Sequence, residues 1–186
     1  MSLGAVAEPL SRGFATRKPL KPAAGGGRAA GLRSSPMHGI APTRDGAYRV
    51  RLSRHERDLL RTLPGQLRVL IAEDDPSLLR LFPPAYADDP EADAEYRHLV
   101  RNGLIDGKLA ALSELERTAA ADRLDEEQLG AWLGALESLR LALGTQLGVT
   151  EDTYDAFDPD DPRAPELALY GWLSWLQDQV VRALST

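Results

Sequence analysis

The sequence predicts a mainly α fold, a compact helical bundle preceded by one short strand or hairpin, and three observations predict it. Leucine and tryptophan recur at helical spacing in several long stretches. Ser, Asp, Pro and Gly sit where helix caps and stops belong. One segment alone, around residue 50, alternates with a period of two. The 186 residues suit a single domain, and with 43% of them hydrophobic a core can form without metal or disulfide.

Residues 1–36 hold six bases against Glu8 alone, with Ala, Gly and Pro abundant and Gly25-Gly26-Gly27 among them. Such a segment buries too little to offset its ordering entropy, so 1–43 reads as a disordered basic tail and 44–186 as one acidic helical domain. The tail suits a nucleic-acid arm, a transit peptide, or an over-extended start with Met37 as the alternative.

Tyr48, Val50 and Leu52 alternate with Ala47, Arg49 and Arg51, a half-buried strand. Ser53 with Glu56 forms a capping box opening a helix whose stripe is Leu59, Leu60, Leu63, Leu67, Leu70 and Ile71. Pro64 is expected to kink or restart it. A short helical piece, Ser77 to Phe82, stops at Pro83-Pro84. Asp89-Pro90-Glu91 starts another helix, with Tyr96, Leu99 and Val100 facing inward. Gly103 is expected to break it before a further helix from Asp106 to Ala120. Asp125 and Gln128 box the next start, Leu129, Trp132, Leu133, Leu136, Leu143 and Leu147 form its apolar face, and Gly148 ends it. An acidic loop, 151–164, leads to a last helix from Pro165 to Leu184. Its core face is Leu169, Trp172, Leu173, Leu176, Val180 and Leu184, yet Tyr170, Trp175 and Val181 widen the apolar surface. Either neighbours surround this helix or it meets a second subunit in a homodimer.

The absence of cysteine excludes disulfides, thiolate metal sites and cysteine nucleophiles. Gly103 to Lys108 is one residue short of a phosphate loop, and Leu109 stands where a hydroxyl is required. His38, His55 and His98 share no metal-ligand spacing, and the acidic loop puts Pro162 and Arg163 where a calcium loop needs a ligand and a glycine. No nucleophile elbow occurs. No catalytic residue, cofactor or metal is therefore assigned, and a non-enzymatic protein is expected. The longest uncharged stretch, Leu167 to Gln177, is too short to cross a membrane, so a cytoplasmic location is expected.

Three groups of residues remain as candidates. Arg140 falls within the apolar stripe, where its charge calls for an internal carboxylate, an anion site or a subunit contact. Arg49, Arg51, Arg54, Arg57 and Arg61 gather on the strand and first helix of an otherwise acidic body, as a small DNA-contact patch would; the alternative is a solvated face. Phe82, Pro83, Pro84 and Tyr86, with Trp175, combine stiff backbone with aromatic anchors suited to a partner surface.

The segments SRHERDLLRTL (53–63), LFPPAYADDPEADAEYR (81–97), DEEQLGAWLGAL (125–136), LRLALGTQLGVTED (139–152) and YGWLSWLQ (170–177) resemble an actinobacterial family over about residues 44–184. That family, long described as a domain of unknown function with genes often near the ClpS adaptor, is the AosR family of oxidative-stress transcriptional regulators. The resemblance implies a cytoplasmic regulator acting chiefly through protein contacts with RNA polymerase or a sigma factor, with weak or assisted DNA contact. Gene neighbourhood in the family implies an alternative, an adaptor or structural partner of the Clp proteolytic machinery. Direct thiol sensing is excluded in this chain, because it has no thiol.

Overall fold

Where the chain can satisfy its backbone decides where its elements begin and end. The computed structural model describes residues 38–83, 85–86, 88–150 and 161–186, the side chains at 90, 93, 94, 97–99, 101 and 102 aside. Strands β1 (Gly39–Pro42) and β2 (Tyr48–Arg51) pair antiparallel, Ile40 opposite Val50 and Ala41 opposite Arg49. Strand β3 (Arg123–Leu124) pairs antiparallel with the other edge of β2, Arg49 opposite Arg123. The sequence places residues 39–42 in the tail, and the structure moves that boundary by making them β1. Gly39 explains how so short a strand docks. Its φ is 123°, and a Cβ there would lie 2.8 Å from Gln179 Oε1 on the last helix. Residues 1–37 lie outside the described residues.

Helix α1 (Arg54–Glu73) opens on the expected capping box, with the Ser53 hydroxyl accepting from Glu56 N–H and the Glu56 carboxylate accepting from Ser53 N–H. It runs through Pro64 without the restart that was one of the two expected outcomes. Pro64 is buried on the core face, one turn after Leu60, so its ring adds to the packing that holds the helix together. Asp74, in the left-handed region at φ 51°, ends α1, and Asp75 caps a 3₁₀ turn (Pro76–Arg80).

Helix α2 (Pro90–Thr118) is one helix of 29 residues, which corrects the predicted break at Gly103. Gly103 and Gly107 have no side-chain neighbour within 4 Å. Each weakens the helix by about 1 kcal/mol relative to alanine, too little to interrupt a segment whose far end buries Leu112 and Leu115 completely. Tyr96 does not face inward; it is 40% exposed. Val100 is half-buried, and the side chain of Leu99 lies outside the described residues.

Helix α3 (Glu126–Leu147) is the axis of the bundle, packed by α1, α2, the 3₁₀ turn and α4 (Ala164–Leu184). Leu129, Trp132, Ser138, Ala142 and Gly144 are all buried, so more than one face is covered, as a central position requires. Its start and stop are as expected, Asp125 and Gln128 forming a reciprocal box and Gly148 adopting φ 63°. Gly144 meets the Tyr170 ring of α4, where a Cβ would lie 2.9 Å from Tyr170 Cε2. Gly144→Ala is therefore expected to destabilise the fold by about 1–2 kcal/mol, overpacking outweighing the gain in helix propensity; a denaturant titration checks it.

Part of the apolar width of α4 is met within the chain. Leu169, Leu173, Leu176 and Val180 are buried, Tyr170 lies over Gly144, and Trp175 stacks on His38 just before β1. Val181 remains 44% exposed. The predicted loop at 151–160 lies outside the described residues.

Candidate functional site

The alternation of β2 sorts its side chains: Val50 is buried, while Arg49 and Arg51 are exposed on the outer face. Arg123 of β3 stands directly opposite Arg49, and Arg44 comes from the β1–β2 turn. These four arginines line a shallow concavity of about 480 Å³ with Thr43 and Asp45. Asp45 accepts from the Thr43 hydroxyl at 2.6 Å and from Arg123 at 2.5 Å. Those two bonds lower its pKa to about 2, so it is ionised at any ordinary pH. Arg44 and Arg123 were not among the sequence candidates. The signal available for Arg123 was the pair Arg123-Leu124 just ahead of the Asp125 cap, a single period of alternation.

The other three sequence candidates lie elsewhere. Arg54 is exposed at the first residue of α1, and Arg61 is exposed and pairs with Asp58 at 3.3 Å. Arg57 is a correction, because it points inward. Its guanidinium donates to the carbonyls of Val50, Leu52, Ala119 and Ala121 at 2.8 to 3.3 Å and to Asp122 at 2.8 Å. With its side chain only 14% exposed, it ties β2 to the α2–β3 junction and is unavailable to DNA.

Beside it, Glu56 gathers three donors: Ser53 N–H at 2.7 Å, Trp172 Nε1 at 2.8 Å and His38 Nε2 at 2.9 Å. Burial acts to raise its pKa, but the bonds from His38, Ser53 and Trp172 prevail and hold it below the usual 4.5. A carboxylate depressed in this way stabilises the fold above its unfolded pKa and loses that contribution as pH falls through the folded one. Glu56→Gln is accordingly expected to be about 1 kcal/mol less stable at neutral pH, with the gap closing on acidification below about 4.5. Urea midpoints measured from pH 7 to 3 test this.

A second cleft, of about 470 Å³, opens beside the 3₁₀ turn and is lined by Leu78, Leu79, Phe82, Pro83, Tyr96 and Leu104 among others. Six large hydrophobic side chains are exposed among the described residues. Four of them gather here: Leu79 (63%), Tyr86 (50%), Leu104 (50%) and Tyr96 (40%), so this apolar patch is contiguous rather than scattered. Tyr86 and Tyr96 meet edge to face at 5.9 Å, and Lys108 Nζ lies 6.0 Å from the centre of the half-buried Phe82 ring. Thus Phe82, Pro83 and Tyr86 do share a surface, and Pro84 lies outside the described residues. Leu79, Tyr96 and Leu104 join them, which sequence reasoning did not assign to it. Trp175 does not belong, because its ring is stacked on His38 at 5.1 Å.

Arg140 has no ion pair among the described residues, contrary to one of its three expected roles. Its Nε is buried without an acceptor, while the residue as a whole is only half-buried. A long stem that sinks its base and keeps partial access to water needs no internal counter-ion. Neither cleft includes it. Among the described residues no group of His, Asp and Glu is arranged to hold a metal, and no helix is long and apolar enough to cross a membrane.

Comparison with known proteins supplies context for these surfaces. A family described as a domain of unknown function, DUF2017, matches residues 37–184. Proteins of Mycobacterium tuberculosis and Mycobacterium bovis named oxidative stress regulator AosR are 29% identical over 184 residues, covering 76% of this chain and 84% of theirs. A Mycobacterium leprae protein provisionally given the same name is 30% identical over 128 residues, covering 60% of this chain and 59% of its own. No solved structure matches.

Proposed function

Since the chain belongs to the DUF2017 family and is similar to mycobacterial proteins named oxidative stress regulators, we propose that it is a transcriptional regulator of the oxidative-stress type. It works without catalysis and chiefly by protein contact, with RNA polymerase or a sigma factor as the partner and DNA contact secondary. The observation that carries the protein-contact reading is the cleft where Leu79, Tyr86, Tyr96 and Leu104 expose apolar surface around Phe82. Aromatic and leucine anchors in a concave patch with a charged rim (Asp74 and Asp75 here) are what a partner's side chains bury against. With no thiol in the chain, an oxidant signal arrives through the partner.

The test is retention of purified polymerase core, alternative sigma factor and Clp subunits on the immobilised protein and on a Leu79→Ser/Leu104→Ser variant. Both positions are half or more exposed, so the variant should keep its melting temperature. Wild type is expected to retain polymerase or sigma factor, and the variant to lose at least tenfold. Retention of Clp subunits alone, lost in the same variant, would replace this reading with that of a proteolysis adaptor. Retention of none would overturn both.

A further inference from the structure

We propose that the outer face of the sheet binds the sugar–phosphate backbone of nucleic acid through Arg44, Arg49, Arg51 and Arg123, and that Asp45 is an internal anion which the backbone displaces. The site differs from a simple array of surface charge. Arg49 and Arg123 are register partners across β2 and β3, and Arg51 lies on the same face of β2. Like charges directly opposed across strands destabilise a sheet, and an anion seated between them removes that cost. Asp45 supplies a single carboxylate, to Arg123, for four guanidinium groups around one concavity.

The charge around this face makes the contrast sharper. Residues 37–186 hold 27 acids against 16 bases, and among the described residues Arg57 pairs with Asp122, Arg61 with Asp58, Arg68 with Glu116, Arg117 with Glu114, Arg163 with Asp161 and Arg182 with Asp178. Arg44, Arg49 and Arg51 have no carboxylate partner among the described residues. Arg49 and Arg51 are separated by about 7 Å along the strand, a spacing suited to successive charges of an extended polyanion. An acidic peptide would also need a pocket for an anchoring side chain, and the apolar lining here is only Ala41 and Pro42. A phosphate backbone needs charge and donors alone.

The choice of nucleic acid over another polyanion rests on the regulator reading; the charge geometry does not. The experiment uses the full chain and a fluorescent mixed-sequence 20-base-pair duplex, read by anisotropy at 50 and 200 mM salt. With four phosphate contacts, affinity is expected to fall about 100-fold between the two salts. Arg49→Glu/Arg51→Glu should weaken binding at 50 mM at least tenfold with its melting temperature retained. Asp45→Asn should tighten it about threefold or more, a gain that misfolding cannot produce. Unchanged binding in the double-glutamate variant would assign the affinity to residues 1–36 and overturn the proposal. Weaker binding in Asp45→Asn, or no duplex binding by wild type, would also overturn it. So would a polyglutamate peptide that binds this face more tightly than DNA, since the face would then serve an acidic protein. The regulator reading is judged separately, by polymerase retention and its loss in the Leu79/Leu104 variant, which leaves the sheet untouched.

Discussion

Replacing Trp132 by alanine is expected to remove about 4 kcal/mol of stability, the largest loss of any single substitution considered. The indole is fully buried in the N-terminal half of α3, where it fills the space between helices. Its Nε1–H donates at 2.8 Å to the Thr118 hydroxyl, which in turn donates to the Glu114 carbonyl at 2.6 Å, so the last turn of α2 is bolted to α3. Alanine leaves a cavity as well as a buried hydroxyl short of one partner. Trp132→Phe keeps most of the volume and should cost about 1–2 kcal/mol. Chemical denaturation of the two variants separates volume from hydrogen bond; equal losses would show that the bond, not the filling of space, dominates.

Arg57→Met should be next, at about 3 kcal/mol, because the methionine leaves four carbonyls and Asp122 without their shared donor. For a chain of this size that corresponds to a fall in melting temperature of about 6–12 °C. Arg57→Lys should recover little of it, since a compact ammonium cannot span the carbonyls that a planar guanidinium reaches. A melting temperature within 2 °C of wild type in either variant would show that water replaces the side chain at no cost.

Local grammar was the legible part of this fold. Both capping boxes, the Gly148 stop and the buried leucine stripe of α1 could be read because each depends on residues within a turn or two of one another. Gly103 was misread for the converse reason: tertiary packing carries α2 through it, as it carries α1 through Pro64 without a restart. Arg57 looked like its neighbours Arg54 and Arg61 because three of its five acceptors, on Ala119, Ala121 and Asp122, lie 62 to 65 residues away along the chain, beyond any periodicity. The same distance hid half of the basic face, since Arg123 joins Arg49 only through the β2–β3 pairing. For the apolar cleft, Phe82, Pro83 and Tyr86 were visible as a motif, whereas Leu79, Tyr96 and Leu104 are brought to it by two separate elements.

The hub of carbonyls around Arg57 also sets how the molecule comes apart. Since one guanidinium grips both β2 and the segment leading into β3, neither strand can open its amides to solvent without releasing the other. Hydrogen–deuterium exchange at residues 48–51 and 122–124 should therefore slow and quicken in step, as one cooperative unit, although seventy residues of chain separate the two.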